Sequence, residues 1–480
     1  MASNTETTRE FHHHQRTHNN ATDQEKLESG TNSGSDASFN NEPVEAAAEA
    51  EAEPQGEKPV TAPQGQPPGG GPPGGPPPDG GTKAWLQVLG SWFLFFNTWG
   101  LLNTFGVYQT YYEGGQLFVS NSSDISWIGT VQALMVLIVG AVVGPIYDRG
   151  YFRWLLVFGT FMVVFGHMML SLCHTLWGCI LAQGFVIGIG AGALFVPAVA
   201  ILPTYFSTRL GLAVGLAASG SSSGGIIYPI MFYKLLSEVG FGWAVRILGF
   251  TALATLIVPL FCMQMRVKPP KARALFDMTA FTDLPYMILV LACAIGFIAL
   301  YVGIFYFSYF GESTGITDAS LSFYLIPILN AGSVFGRTVP NYLADKIGPL
   351  NVITPGAFLV GVILLCNLAV TGVAGIVITT LFFGFFSGIF IALPPVLFVA
   401  FTKDRTKIGT RIGMGFAMLG AGVLCGGPGG GGILDRRGTD ASQLDWTGTW
   451  TYGGVTGLAA GCVLLGLRIW RGGPKLMVKC

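Results

Sequence analysis

Residues Ile125–Arg153 read ISWIGTVQALMVLIVGAVVGPIYDRGYFR. The first 23 of them, 125–147, carry no charged side chain; Asp148, Arg149 and Arg153 then close the run. A helix rising about 1.5 Å per residue over such a length crosses the roughly 30 Å of bilayer hydrocarbon. Strands of a membrane barrel alternate between apolar and polar residues, and this run does not. It is a membrane-spanning helix with a charged cytoplasmic cuff.

The rest of the chain repeats the pattern. Of 480 residues, 51% are hydrophobic and 11% charged, whereas soluble domains carry about 25% charged residues. Apolar runs predict twelve spans, at about 84–108, 125–147, 154–173, 176–200, 209–232, 243–264, 286–310, 319–342, 351–371, 375–400, 408–433 and 449–470. The fold expected is an all-α membrane protein. Its parts are a tail at 1–83, a six-helix half at 84–264, a central loop at 265–285, a second six-helix half at 286–470 and a short tail at 471–480.

The formal net charge of zero hides an asymmetry. Residues 1–83 hold 5 Lys/Arg and 13 Asp/Glu, net −8; the remaining 21 Lys/Arg and 13 Asp/Glu give +8. Residues 1–60 have the polar, acidic composition of disorder, and 63–81, with 8 Pro and 8 Gly, read as a linker. The cations do not cluster into a nucleic-acid patch. With the N-terminus in the cytoplasm, inner loops and the C-tail hold fifteen Lys/Arg against three outside (Lys234, Arg436, Arg437). That positive-inside bias places both termini in the cytoplasm. It also places Asn121-Ser-Ser outside as a candidate glycosylation acceptor. The apolar segments begin only at Ala84, so no N-terminal signal peptide is expected.

Two segments repeat each other. Gly144 is followed by Asp148-Arg149 after span 2, and Asn341 by Asp345-Lys346 after span 8. An internal repeat of this kind marks a two-lobed transporter. The Gly144-x-x-x-Asp148-Arg149-Gly150-x-x-Arg153 segment resembles the loop 2–3 signature of the major facilitator superfamily. Asp79-Gly80-Gly81 before Trp85 is similar to the approach to span 1 in the monocarboxylate porter family, in its fungal form. Tyr205-Phe206, Arg209, Gly215, Ala217 and Gly220 resemble that family's span 5, while Asn330 to Arg337 and Gly409 to Gly413 fit its spans 8 and 11.

The resemblance implies roles. Gly144, Asp148, Arg149, Arg153 and Asp345 would form a gate, with Asp148 facing the N-terminus of span 11, Gly144 allowing close backbone approach, and Arg149 and Arg153 making ion pairs. The alternative is that the two arginines only hold the loop inside. Arg337, within span 8, matches an Arg that pairs with substrate carboxylate in the family; snorkelling to the inner face is the equal alternative. The Asp four residues before it is replaced by Ser333, and the Lys of span 1 by Asn103. Proton-linked monocarboxylate transport loses support accordingly.

Further candidates are polar groups in apolar surroundings. Asn103 and Asn330 offer amides to a solute or to a neighbouring helix. His167, the only His in a predicted span, reads more readily as packing than as a site. Glycines of spans 4 and 5 read as close-packing positions. No Asp or Glu falls within a predicted membrane core. No metal spacing, nucleotide loop or nucleophile–base pair occurs, so no cofactor, metal or enzyme activity is expected. Free cysteines are expected rather than a disulfide framework; Cys173 and Cys179, beside an outer loop, are the pair placed to bridge.

The function expected is alternating-access transport of a small organic solute, with efflux of a fungal secondary metabolite placed first. Uptake of a monocarboxylate or related nutrient is the alternative, and a non-transporting nutrient sensor the second. The cell membrane is the expected location, with the vacuolar membrane as the other choice. Oligomeric state is left open.

Overall fold

Among the described residues, ten helices of the computed structural model are long and apolar enough to cross a membrane. One of them, Leu210–Cys262, is two spans: Gly240 interrupts it at φ 72° and ψ 172°, a conformation that residues with a side chain rarely adopt. Another crossing is split into pieces too short to qualify singly: Thr82–Asn97, Trp99–Asn103 and Phe105–Glu113. The breaks fall at Thr98 and Thr104. Each hydroxyl donates to the carbonyl four residues back, Leu94 and Gly100, at 2.9 Å, a bond that bends helices. Ten helices, one more from the split and one from the broken first crossing give the twelve read from the sequence.

We number them α1 (82–113), α2 (Ser122–Asp148), α3 (Phe152–Leu170), α4 (Leu176–Tyr205), α5 (210–239), α6 (241–262), α7 (Leu284–Ser313), α8 (Ala319–Ile347), α9 (Pro349–Cys366), α10 (373–400), α11 (Ile408–Leu434) and α12 (Trp446–Gly472). The structure describes residues 77–266, 272–404, 407–438 and 443–473, without the side chains of Asp345 and Arg437. These all belong to one unit, Pro68–Cys480. The tail expected at 1–83 lies outside the described residues as far as 76, as do 267–271 of the central loop and the last residues from 474.

The two sixes are built alike. In the first, α1 packs on α5, α2 on α4 and α3 on α6; in the second, α7 packs on α11, α8 on α10 and α9 on α12. The sixes meet along α2–α11, α5–α8 and α1–α7. We call the end where α1 begins the near end, and the other the far end. Several boundaries differ from expectation; α5, for one, runs to 239 where span 5 is expected to end near 232. Span 1 was read as ending near 108, but α1 continues to Glu113, because its last turns pack against α2 and α7.

Glycine sets the spacing. Gly188 and Gly192 of α4 face Met135 and Val139 of α2, while Gly220 and Gly224 of α5 face the Trp92 and Phe96 carbonyls of α1. In α8 and α10 the contact is mutual: Gly336 lies on the Phe385 carbonyl, and Gly384 on the Leu329 carbonyl. Small residues permit this because lipid offers helices no hydrophobic gain for associating, so close contact has to supply it. Cys173 and Cys179 are free.

Adding a methyl group at Gly336 drives it into a backbone carbonyl that cannot rotate away. Overpacking of this kind costs about 1–3 kcal/mol. Gly336→Ala is therefore expected to lower the thermal-unfolding midpoint of the detergent-solubilised protein, whereas Gly466→Ala, which meets nothing within 4 Å, leaves it unchanged. Equal midpoints for the two variants would refute the packing role.

Candidate functional site

A cavity of about 340 Å³ lies between the two sixes. Phe95 and Trp99 of α1 stand one turn apart on the same helix face. With Phe195 of α4 and Phe416 of α11 they form an aromatic wall: ring centroids of Phe195 lie 6.1 Å from Phe95, 5.6 Å from Trp99 and 5.8 Å from Phe416. Aliphatic residues such as Leu137, Val199 and Ile391 complete most of the lining. The polar exceptions with long side chains are Arg337, Asn341 and Arg273.

Arg337 is 2% exposed. Gly388 of α10 lets that helix close against the Arg337 backbone, and α5 covers it from the other side. Its Nε donates to Ser333 Oγ at 3.1 Å, and Nη1 to Ser221 Oγ of α5. Nη2 has no partner. The Arg337 carbonyl accepts from Asn341 Nδ2 at 2.6 Å. No carboxylate neutralises it among the described residues: Ser333 stands where the family's Asp would have been. A guanidinium beside a cavity with one nitrogen unpaired has the chemistry to receive an anion or a carbonyl oxygen. Snorkelling does not describe a side chain this deeply covered.

At the near end a strap, residues 272–283, brings Arg273 to the cavity wall. Arg273 reaches Asp148 with Nε–Oδ2 at 2.6 Å, Nη2–Oδ1 at 2.8 Å and its own backbone N–H to Oδ2 at 2.9 Å. Asp148 is 4% exposed. Asp148 is expected to face the N-terminus of α11; Arg273 stands between them, packed on Gly409 of α11. Gly144 likewise makes room for the Arg273 side chain rather than for another backbone. Arg149 and Arg153 are exposed and make no ion pair among the described residues. The Asp345 side chain lies outside the described residues.

The strap is anchored at its other end. Asp277 accepts from Lys407 Nζ and Arg411 Nε, both at 3.0 Å, and Arg411 Nη1 donates to Asp283 at 2.7 Å. Burial alone would raise the Asp277 carboxyl, but bonds from Thr279, Lys407 and Arg411 outweigh it and hold it well below the usual range. A carboxyl depressed in the folded state stabilises above its unfolded value and is lost only as pH falls through the folded one. Asp277 is thus ionised at any physiological pH.

Residues singled out far apart in the sequence meet beside it. Asp79 accepts from the Ser207 hydroxyl and amide, each at 2.5 Å, and from the Thr208 amide at 2.8 Å. The Ser207 hydroxyl leads in bringing its carboxyl down to about 2. Trp85 packs edge-on against Phe206 at 5.3 Å, and Tyr205 Oη donates to the Gln264 carbonyl at 2.9 Å.

At the far end the sixes are in direct contact. Asn103 Nδ2 donates to Asn330 Oδ1 at 3.0 Å, with Gly225 of α5 packed on the Asn330 amide. Phe105 and Phe305 rings lie 4.6 Å apart, and Ser123 donates to Asp435 Oδ2 at 3.1 Å and to the Pro428 carbonyl at 3.0 Å. Asn103 and Asn330 therefore close the cavity's far side as a pair and do not line it. His167 is not in the cavity either: it lies between α3 and α6 against Gly249, with Nδ1 2.8 Å from the Val163 carbonyl. Asn121 caps α2, accepting from the Asp124 amide at 2.7 Å.

The Major Facilitator Superfamily profile matches residues 85–373. The chain is 60% identical over 386 residues to the MFS-type transporter dbaD of Emericella nidulans, 80% of this chain and 86% of that one. It is 36% identical over 404 residues to the aspyridones efflux protein apdF of the same fungus, 84% of this chain and 80% of that one. The crystal structure of the nucleoside transporter NupG is similar with a TM-score of 0.62 at 13% identity, over 80% of this chain and 100% of that one. A POT family transporter in complex with 5-aminolevulinic acid gives 0.62 at 13% identity, over 84% and 99%. At such identity the likeness is one of fold.

The Asp148–Arg273 clamp should behave as one unit. A charge-assisted hydrogen-bonded pair contributes about 1.5–3 kcal/mol, so Asp148→Asn and Arg273→Gln should each lower the unfolding midpoint. The double variant should fall no further than the worse single one. Additive losses would show two independent residues.

Proposed function

The chain belongs to the Major Facilitator Superfamily, and on that premise we propose that it exports a small organic metabolite by alternating access. The solute has a largely apolar body and one anionic or strongly accepting oxygen. The observation that carries this reading is Arg337 in the cavity wall, buried, without a carboxylate partner and with Nη2 free. The aromatic wall supports an unsaturated or cyclic body, and its size is mismatched to a three-carbon acid. Export is supported by the likeness to apdF, an aspyridones efflux protein. Within the superfamily, Asp79, Trp85, Tyr205 and Phe206 support placing the chain among monocarboxylate-porter-like carriers that have lost the Lys and Asp at Asn103 and Ser333.

In this reading Arg273 and Asp148 latch the near end, which the Lys/Arg bias puts in the cytoplasm. The strap must release for solute to enter, after which the far-end contacts of Asn103, Asn330, Ser123 and Asp435 part to let it leave. Both termini are cytoplasmic, the membrane is the cell membrane, and Asn121 at the outer face is a glycosylation acceptor.

The test uses inside-out vesicles and a panel of cyclic carboxylic acids with their methyl esters. Losing the charged bond in Arg337→Gln should weaken apparent affinity for an acid by roughly ten- to 150-fold, from about 1.5–3 kcal/mol at about 1.4 kcal/mol per tenfold. The esters should be much less affected. Arg337→Lys keeps the charge without the planar fork and should fall between. Uptake of an acid that survives Arg337→Gln intact would remove the receptor role.

A further inference from the structure

The serine run of α5, Ser219-Gly220-Ser221-Ser222-Ser223, has one member that reaches another helix. Ser219 Oγ donates to the Leu216 carbonyl at 2.7 Å, and Ser223 Oγ to the Ser219 carbonyl at 3.1 Å. Ser221 Oγ donates to the Ala218 carbonyl at 2.6 Å, and its lone pair accepts from Nη1 of Arg337 in α8. Ser221 has no exposed surface. Its own carbonyl faces Gly100 of α1, so it sits where α1, α5 and α8 meet.

That bond joins the two sixes. Among the described residues, the other hydrogen bonds from side chains between helices of the two sixes are at the far end, from Asn103 to Asn330 and from Ser123 to the Pro428 carbonyl. Ser221 to Arg337 is the one beside the cavity, whose wall includes Ala218 and Arg337. One turn along α5 toward the far end, Gly225 packs on the Asn330 amide. Toward the near end, a side chain at Gly215 of the cavity wall would meet nothing within 4 Å. Ser221 thus marks the boundary between the packed part of the α5–α8 seam and the part that lines the cavity.

A hydroxyl is a weak partner for this cation. Its oxygen carries no charge, whereas a carboxylate brings one and takes two parallel N–H bonds from the guanidinium fork. Nη2, one arm of that fork, has no partner. Nη1, the other arm, is held by Ser221.

We propose that Ser221 couples solute binding to opening of the far end, by sharing Arg337 with the solute. The proposal rests on the export reading above. A carboxylate that enters from the cavity takes Nη1 and Nη2 together. Nη1 leaves Ser221, α5 loses its polar tie to α8, and the contacts of Asn330 with Asn103 and Gly225 are left to hold the seam. When the solute departs, Nη1 returns to Ser221 and the seam is tied again. Ser221 is a positioning residue in this scheme, because it acts through Arg337.

The test follows hydrogen exchange of the full chain in lipid nanodiscs by mass spectrometry, on peptides covering 100–106 and 326–333. The probes are benzoate, naphthoate and their methyl esters. In the wild type an acid should lower protection of these peptides and its ester should not. Ser221→Ala should be less protected before any acid is added, by roughly two- to tenfold for the loss of one hydrogen bond. The acids should then change it little further. Ser219→Ala removes a hydroxyl that bonds within α5 and should match the wild type in both conditions. A residue that only packs would leave the acid response in place. Ser221→Ala responding as the wild type does, or as protected as the wild type without acid, overturns the proposal. If neither acid alters the wild type while Ser221→Ala alone is loosened, the acid-receptor reading of Arg337 falls and the sharing with it. An acid response of the expected kind without outward flux in vesicles keeps the coupling and removes export.

Discussion

Backbone touching backbone at glycine holds this bundle together, and the site exists because of it. Inside a bilayer, bringing two apolar helices together gains nothing from water. Contact must be close enough for dispersion and weak Cα–H···O bonds to accumulate. Gly336 and Gly388 bring α8 and α10 to that distance, and Gly225 brings α5 onto α8. Arg337 lies where these three helices converge. The close packing covers its stem and holds its guanidinium against the hydroxyls of Ser333 and Ser221, beside the cavity. A wider spacing would admit lipid or water, and the guanidinium would no longer be held in place.

Apart from Arg337, the charged groups that pair are at the ends, as the cost of burying charge in hydrocarbon requires, and the two ends use them differently. The near end pairs opposite charges: Arg273 with Asp148, and Lys407 and Arg411 with Asp277. Such pairs are screened little when buried, and they tie the central loop to α2 and α11. The far end meets through hydrogen bonds without opposite charges, the Asn103–Asn330 amide pair and the Ser123 amide on Asp435. The repeated architecture of the two sixes therefore carries two unlike closures.

Several readings of single residues changed once their neighbours were known. Arg149 and Arg153 carry the loop 2–3 signature yet stand exposed, while Arg273, a cation of the central loop with no motif around it, makes the clamp. Its role had no local signal, because what matters is a position 125 residues from Asp148. The aromatic wall had only a faint one, the Phe95–Trp99 spacing, since Phe195 and Phe416 come from helices in opposite sixes. His167 packs between α3 and α6, where its Nδ1 bonds within its own helix. Glu113 was read as a loop residue because the hydropathy of span 1 fades before its helix ends.

The twelve spans, the two sixes, the close-packing glycines of α4 and α5 and the unusual Arg in span 8 follow from the sequence alone. The bilayer makes them legible: it demands apolar length, satisfies no backbone group, and penalises every buried charge, so each rule acts on a local stretch of chain. Which polar groups meet was decided only by tertiary structure. Asn103 and Asn330 are 227 residues apart, and Ser123 and Asp435 are 312 apart. No periodicity or composition links such positions, because the bonds form between helices whose neighbours are set by the packing of the whole bundle.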